Sequence, residues 1–446
     1  MKYAALILSL VAAPMAMASG IEISGLSSTP VEITPESSSG LDRIYVIENA
    51  AGITLSYRAA SSSTTVEWET FSNLGGAYAT PVSVNRSGAL TSYTLSAEDC
   101  GFIIREGDRP HYYWIVNYAN HQMDLQGMEV GSESDCSTTQ LNIVGSGGDA
   151  IAYYTINGVR RELSRELQLS YKTLEYDSSK TSYQQVDYST TVDHLQSSIH
   201  TTSPLCDTNF TLSGDRFLLA WDKPQQAVSS WYNTVAVAVT ATATQTQRDN
   251  DNEQSSTVTG LGGSAPVEIV FSAEVTDAAK FTQWQFSQSE DFDVVDLRYN
   301  QTEVTYTFNE YGTTYVRFVA ADDSGDCEAY SETFTVEVGE SQLLCPNAFS
   351  PGNQDGINDI WKVSYKSIVD FECYIFNRWG VKMATLTDPS QGWDGRYGGK
   401  IVNSGVYYYV IKARGSDGKK YNLSGDINII NYKQSSTSTS AGSSDE

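Results

Sequence analysis

The chain has 446 residues, with 54 acidic against 28 basic side chains and a formal net charge of −26. That length holds about three or four domains, and the acidity argues against a nucleic-acid binder, because few cations remain to neutralise phosphates. The charge is uneven: Gln342 to Lys433 carries eleven Lys and Arg against eight Asp and Glu, and the excess of acid sits in Met1 to Ser341, at −27.

The first eighteen residues read as a cleaved secretory signal. Lys2 supplies the positive end, Ala4 to Ala13 an apolar stretch too short to span a bilayer, and Ala16-Met17-Ala18 a small-x-small cleavage pattern. No cysteine follows to take a lipid, and no later apolar run reaches transmembrane length. Beyond this leader the strand signals dominate. Ile44 to Ile47, Ile53 to Tyr57, Thr65 to Glu69 and Thr91 to Leu95 cluster branched and aromatic residues between Gly, Ser, Asn and Asp. Val267 to Phe271, Val304 to Phe308 and Thr314 to Ala320 repeat the style. Helical spacing is confined to Arg160 to Leu169 and Thr190 to Ile199, each long enough for a turn or two. The expected fold is all-β, a tandem of immunoglobulin-like sandwiches.

The expected divisions are a β-sandwich over 20–131, a second over 136–245, a polar linker over 246–264, a third β-domain over 265–339 and a fourth over 342–431. Residues 432–446 are low-complexity Ser and Thr, expected to be disordered. Six cysteines in an exported chain suggest disulfides, with fifteen possible pairings. Proximity of elements favours Cys100 with Cys136, Cys206 with Cys327, and Cys345 with Cys373. None lies in a CxxC or Cys/His cluster, which argues against zinc.

The third domain resembles the polycystic-kidney-disease-like immunoglobulin fold through Phe281 to Ser287, with Trp284, and through Tyr306 to Ala320, with Gly312. The family's Gly-Asp-Gly turn is replaced by Ser287-Gln288-Ser289. The resemblance implies a spacer or adhesive module.

The last domain carries several patterns in order. Pro346-Asn347-Ala348-Phe349-Ser350-Pro351 leads to Asp355-Gly356-Ile357-Asn358-Asp359, then to Phe376-Asn377-Arg378-Trp379-Gly380. Gly392-Trp393-Asp394-Gly395, Ser404-Gly405-Val406-Tyr407-Tyr408-Tyr409 and Gly425-Asp426-Ile427 follow. The whole is similar to the gliding-motility-associated, type B C-terminal sorting domain of the type IX secretion system. The resemblance implies a small β-sandwich read by secretion machinery at the outer membrane, and hence a protein exported to the cell surface or beyond. Locally, Gly380 can take the positive φ of a hairpin turn, Asp394 can cap backbone N–H groups, and Asp417-Gly418 is a hairpin signal. Val406, Tyr408 and Val410 alternate and can face the core.

Asn353, Asp355, Asn358 and Asp359 surround Gly356 with oxygen-bearing side chains. They could ligate calcium, although a turn built from side-chain-to-backbone hydrogen bonds is favoured and no other cofactor is implied. A search for an enzyme finds little. His111, His121, His194 and His200 show no HExxH spacing, and neither a nucleophile elbow nor a phosphate loop is present. The expectation is a non-enzymatic adhesive or structural surface module. The alternatives are an accessory component of the secretion or gliding apparatus and, behind it, an atypical hydrolase. Tyr112-Tyr113-Trp114 and Trp231-Tyr232 could stack on a glycan if exposed, and a protein ligand is equally open.

Overall fold

The computed structural model describes residues 20–254, 260–352 and 355–430. The signal segment, Asn353 and the Ser/Thr tail lie outside the described residues. Strands form almost all regular structure, and no described helix is long and apolar enough to cross a membrane. Two compact units divide the chain: Met1–Leu174 with Gln185–Thr234, and Glu175–Gln184 with Val235–Glu446.

The first unit opens with a sandwich. One sheet orders Ile21–Ser24, Thr54–Arg58, Leu90–Thr94 and Asn85–Ser87. The other contains Arg43–Ile47 parallel to Arg109–Asn117, which pairs antiparallel with Cys100–Glu106. Alternation along these strands sends Leu55, Tyr57, Trp68, Phe102, Ile104 and Ile115 into one core. The following strands form a second set of sheets around Leu141, Leu167, Leu169, Phe210 and Leu212. A shared cluster joins the two halves: Ile44, Val46, Phe71 and Trp114 pack with Ile151, Tyr153, Phe217 and Trp221. At about 25 cal/mol per Å² of apolar area, such shared burial resists separation. The helical expectation was misplaced. Arg160–Leu163 and Ser198–Thr202 are strands, and among the described residues the α-helix is Arg216–Ala220, capped by the Asp215 carboxylate on the Phe217 and Leu218 N–H groups.

In the second unit, Val239–Gln245 pairs antiparallel with Val267–Val275, which pairs with Glu303–Phe308. The facing sheet contains Phe281–Ser287, Gly312–Ala321 and Phe334–Val338. Ile269, Phe271, Trp284, Phe286, Phe308 and Phe318 fill the space between the two sheets. The edge strand Val239–Gln245 therefore lies upstream of the run read as a linker.

That run is not a free linker where it is described. Leu261–Gly263 pairs parallel with Phe334–Val338. Asn252 donates its side-chain amide to the Val363 and Pro389 carbonyls at 2.7 and 2.8 Å. Lys362 pairs with Asp251 at 2.7 Å, and Asn250 donates to the Tyr365 hydroxyl at 3.0 Å. Polar composition reads as linker, but here the side chains satisfy backbone groups of the C-terminal domain.

The cysteine pairings need correction. Cys100, Cys206, Cys345 and Cys373 are free thiols, so none of the three expected pairs forms. The disulfide-bonded cysteines are Cys136 and Cys327. Closeness in sequence is a poor guide to the Sγ geometry that a disulfide demands. Burial pushes the Cys373 thiol up to about 12 and that of Cys100 up to about 11, which leaves both weakly nucleophilic.

Candidate functional site: the C-terminal domain

The domain is built on a five-strand sheet ordered Ala348–Phe349, Lys420–Ile429, Gly405–Gly415, Ile368–Phe376 and Lys382–Leu386. Trp361, Cys373, Ile375, Ile411 and Ile427 are completely buried at its core, with Phe349, Trp393 and Tyr407 beside them. Buried indoles need acceptors. Trp361 donates to the Pro346 carbonyl at 2.7 Å, and Trp393 to the Arg396 carbonyl at 3.1 Å.

Most of the motif residues hold this fold together. The Asn347 carbonyl accepts the Asn428 N–H at 2.9 Å, which docks the short first strand on the last. Asp355 accepts the Ile357 N–H and Asp359 the Gly356 N–H, both at 2.9 Å, while Ser350 N–H reaches the Asn358 carbonyl at 2.8 Å. Asp394 caps the Arg396 N–H at 3.0 Å. Gly395 has φ of +71°, and a Cβ there would sit 2.6 Å from Pro351, so a side chain is excluded twice. Gly405 opens the long strand and Gly425 pairs opposite Tyr409. Tyr407 is buried, with its hydroxyl donating to the Asn403 carbonyl at 3.1 Å.

The facing of the long strand is opposite to that expected. Tyr407, Ile411 and Ala413 are buried, whereas Val406, Tyr408 and Val410 are exposed. Both alternating sets are apolar, so the pattern alone could not choose between them. The exposed set lies beside Tyr374 and Phe376 of the neighbouring strand, since Phe376 pairs with Tyr408 and Tyr374 with Val410.

Past Phe376 the chain turns. Asn377 Oδ1 accepts the N–H groups of Trp379 and Val381, each at 3.0 Å, and Gly380 takes φ of +79°. Asn377 and Gly380 thus build the hairpin. Arg378 and Trp379 do not: Trp379 is 73% exposed, and the Arg378 guanidinium lies over its ring at 4.2 Å.

Asp355, Asn358 and Asp359, named for calcium, stand around Gly356, but two carboxylate oxygens there already accept backbone N–H groups. Among the described residues no group of three or more His, Cys, Asp and Glu side chains could hold a metal ion.

Elsewhere Tyr113 and Trp114 are core residues, which removes them as a glycan platform, and Trp231 is exposed. His121 pairs with Asp99 at 2.5 Å, and His111 stacks near Tyr113. One site had no sequence signal. Arg165 and Asp215, fifty positions apart, form a buried ion pair of 2.6 Å with side chains 1% and 0% exposed. Tyr118 donates to the same carboxylate at 3.1 Å.

Comparison with known proteins fits this geometry. Residues 343–429 match the family described as CHU_C Type IX secretion signal domain, and residues 129–230 match a fibronectin type III domain family. No curated protein matches the chain. Among solved structures, a tetra-tandem repeat from the extending region of a large adhesion protein is 13% identical, covering 85% of this chain and 96% of its own, with a TM-score of 0.22. The I9–I11 tandem from titin is 8% identical over 65% of this chain and 94% of its own, with a TM-score of 0.16. The fibronectin(III)-like modules of CbhA from Clostridium thermocellum are 12% identical over 42% and 93%, with a TM-score of 0.17. The C-terminal domain is a type IX secretion signal domain carried behind a fibronectin type III domain, and it marks the protein for export to the cell surface or the medium.

Proposed function

We propose that the protein is a non-enzymatic surface module, exported as cargo of the type IX machinery, whose acidic β-domains serve adhesion or scaffolding. The observation that carries this reading is a complete secretion signal domain, with its own core and capped turns, at the end of a chain of β-sandwiches. An array of sandwiches supplies length and surface without needing a cleft.

One face in the third domain supports the adhesive half. Arg317 donates to Gln285 at 3.0 Å, Gln285 to Gln283 at 3.3 Å, and Gln283 to Asn300 at 3.4 Å. Of this row, Gln283, Gln285 and Asn300 line an open depression of about 560 Å³, with Phe281 exposed at its edge, and beside it Arg317 stacks on Tyr330. Fixed amides with flanking rings suit a hydroxyl-rich ligand.

Cell fractionation of a chain lacking residues 342–446 tests the reading. Cargo accumulates in the periplasm while other exported proteins leave normally. Impaired export of those other proteins would instead identify a component of the apparatus. A hydrolytic activity that survives purification and maps to the first unit would overturn the non-enzymatic assignment.

A further inference from the structure

We infer that Trp379, with Arg378 stacked on it, is the anchor by which the outer-membrane export component grips this domain. The occupant is an apolar cleft edged by carboxylates on that component. The inference rests on the secretion-signal reading above and adds to it the surface that is read.

Three observations converge on the hairpin tip. First, the domain's other tryptophans are buried and hydrogen-bonded, whereas Trp379 projects into water at 73% exposure. Its main-chain N–H serves the turn through Asn377, but its indole has no part in the fold. A large exposed ring with no structural duty marks an interaction site, and Trp and Arg dominate the energetic centres of interfaces. Second, Arg396 and Arg414, the domain's other arginines, are ion-paired with Asp394 and Asp370. Arg378, among the described residues, has the Trp379 ring in place of a carboxylate. It is a planar donor fork ready for an acidic partner. Third, the hairpin grows out of the strand beside the exposed apolar row of Val406, Tyr408 and Val410. That row extends the contact area next to the anchor.

Charge favours a foreign acidic surface over a second copy of this chain's tip. Gln342 to Lys433 carries a net positive charge while the rest of the chain is strongly acidic. Two such tips would bring like charges together.

The test uses the full chain in its native cells. Trp379→Ala and Arg378→Glu are expected to lower the extracellular or surface level at least tenfold, with protein accumulating in the periplasm. Trp379→Phe, which keeps an aromatic ring, is expected to retain most export. The melting temperature of purified Trp379→Ala should stay within about 2 °C of the parent, because the ring is exposed and only its stacking with Arg378 is lost. Export of Trp379→Ala at the parental level would overturn the proposal. So would a concentration-dependent dimer that dissolves in Trp379→Ala while export continues, since the tip would then serve self-association. The chain lacking residues 342–446 separates the two claims. If it is retained while Trp379→Ala is exported, the anchor assignment alone fails. If it too is exported, the secretion-signal reading fails with it.

Discussion

Replacing Asp215 with alanine probes the interior of the acidic body. The carboxylate accepts from Arg165 at 2.6 Å and Tyr118 at 3.1 Å, and its other oxygen caps the Phe217 and Leu218 N–H groups at 3.1 and 3.0 Å. Removing one member of a buried pair costs about 3–5 kcal/mol, because the other charge stays buried without its counter-ion. Loss of the cap adds about 1 kcal/mol. Arg165 keeps the Asp149 carbonyl at 2.7 Å and the His121 carbonyl, which places the total near about 4 kcal/mol. In urea, with a slope of about 2 kcal/mol per molar, the midpoint of the transition that reports the first unit should fall by about 2 M. Replacing both partners, as Arg165→Met with Asp215→Asn, should recover much of the loss, since an uncharged pair carries no stranded charge and Asn still caps. A midpoint shift under about 0.3 M for Asp215→Ala would refute the reasoning, as would a double variant no better than the single one.

Other expectations follow from single contacts. Asn252→Ala removes two donated hydrogen bonds to the C-terminal domain and should destabilise the second unit by about 1–3 kcal/mol in the same urea assay; no change would mean that the run is a solvated linker after all. The Ala60 N–H and then the Tyr57 hydroxyl, both at 2.7 Å, hold the Glu106 carboxyl below the usual glutamate range. Lys223 and then Ser28 do the same for Glu48. With native values depressed, this stability is fully present above about pH 4.5 and is lost as pH falls through them. The melting temperature should therefore drop on acidification, and less steeply for Glu106→Gln; parallel curves would contradict the assignment. Because Asp355 and Asp359 already accept backbone N–H groups, millimolar calcium should leave melting of the C-terminal domain unchanged. A rise would place a metal at Gly356.

Much of the strand order was legible because alternation and turn residues are local signals. Strands at Arg43–Ile47, Val267–Val275 and Gly405–Gly415 all sit where branched and aromatic clusters lie. Facing was less legible. Along Val406 to Ile411 both faces are apolar, so only the packing against Trp361 and Ile427 decides that Tyr407 and Ile411 turn inward. The Asp249 to Glu253 run shows the limit of composition, since an Asn amide satisfied by two carbonyls has the same sequence as one in water. The Arg165–Asp215 pair depends on a contact made only once segments fifty positions apart meet. For the candidate site, the motif was fully readable as a string. Its division into residues that hold the fold and residues left free, Arg378 and Trp379, needed the exposures.

The central claim is that the C-terminal domain is what sends this protein out of the cell. Its most direct measurement is transfer: a periplasmic reporter protein carrying residues 235–446 at its C-terminus, which keeps the Asn252 contacts with the signal domain. In cells with a working type IX system the account expects the reporter on the surface or in the medium, and in the periplasm when that system is disabled. A folded reporter that stays in the periplasm of the intact cells would contradict it.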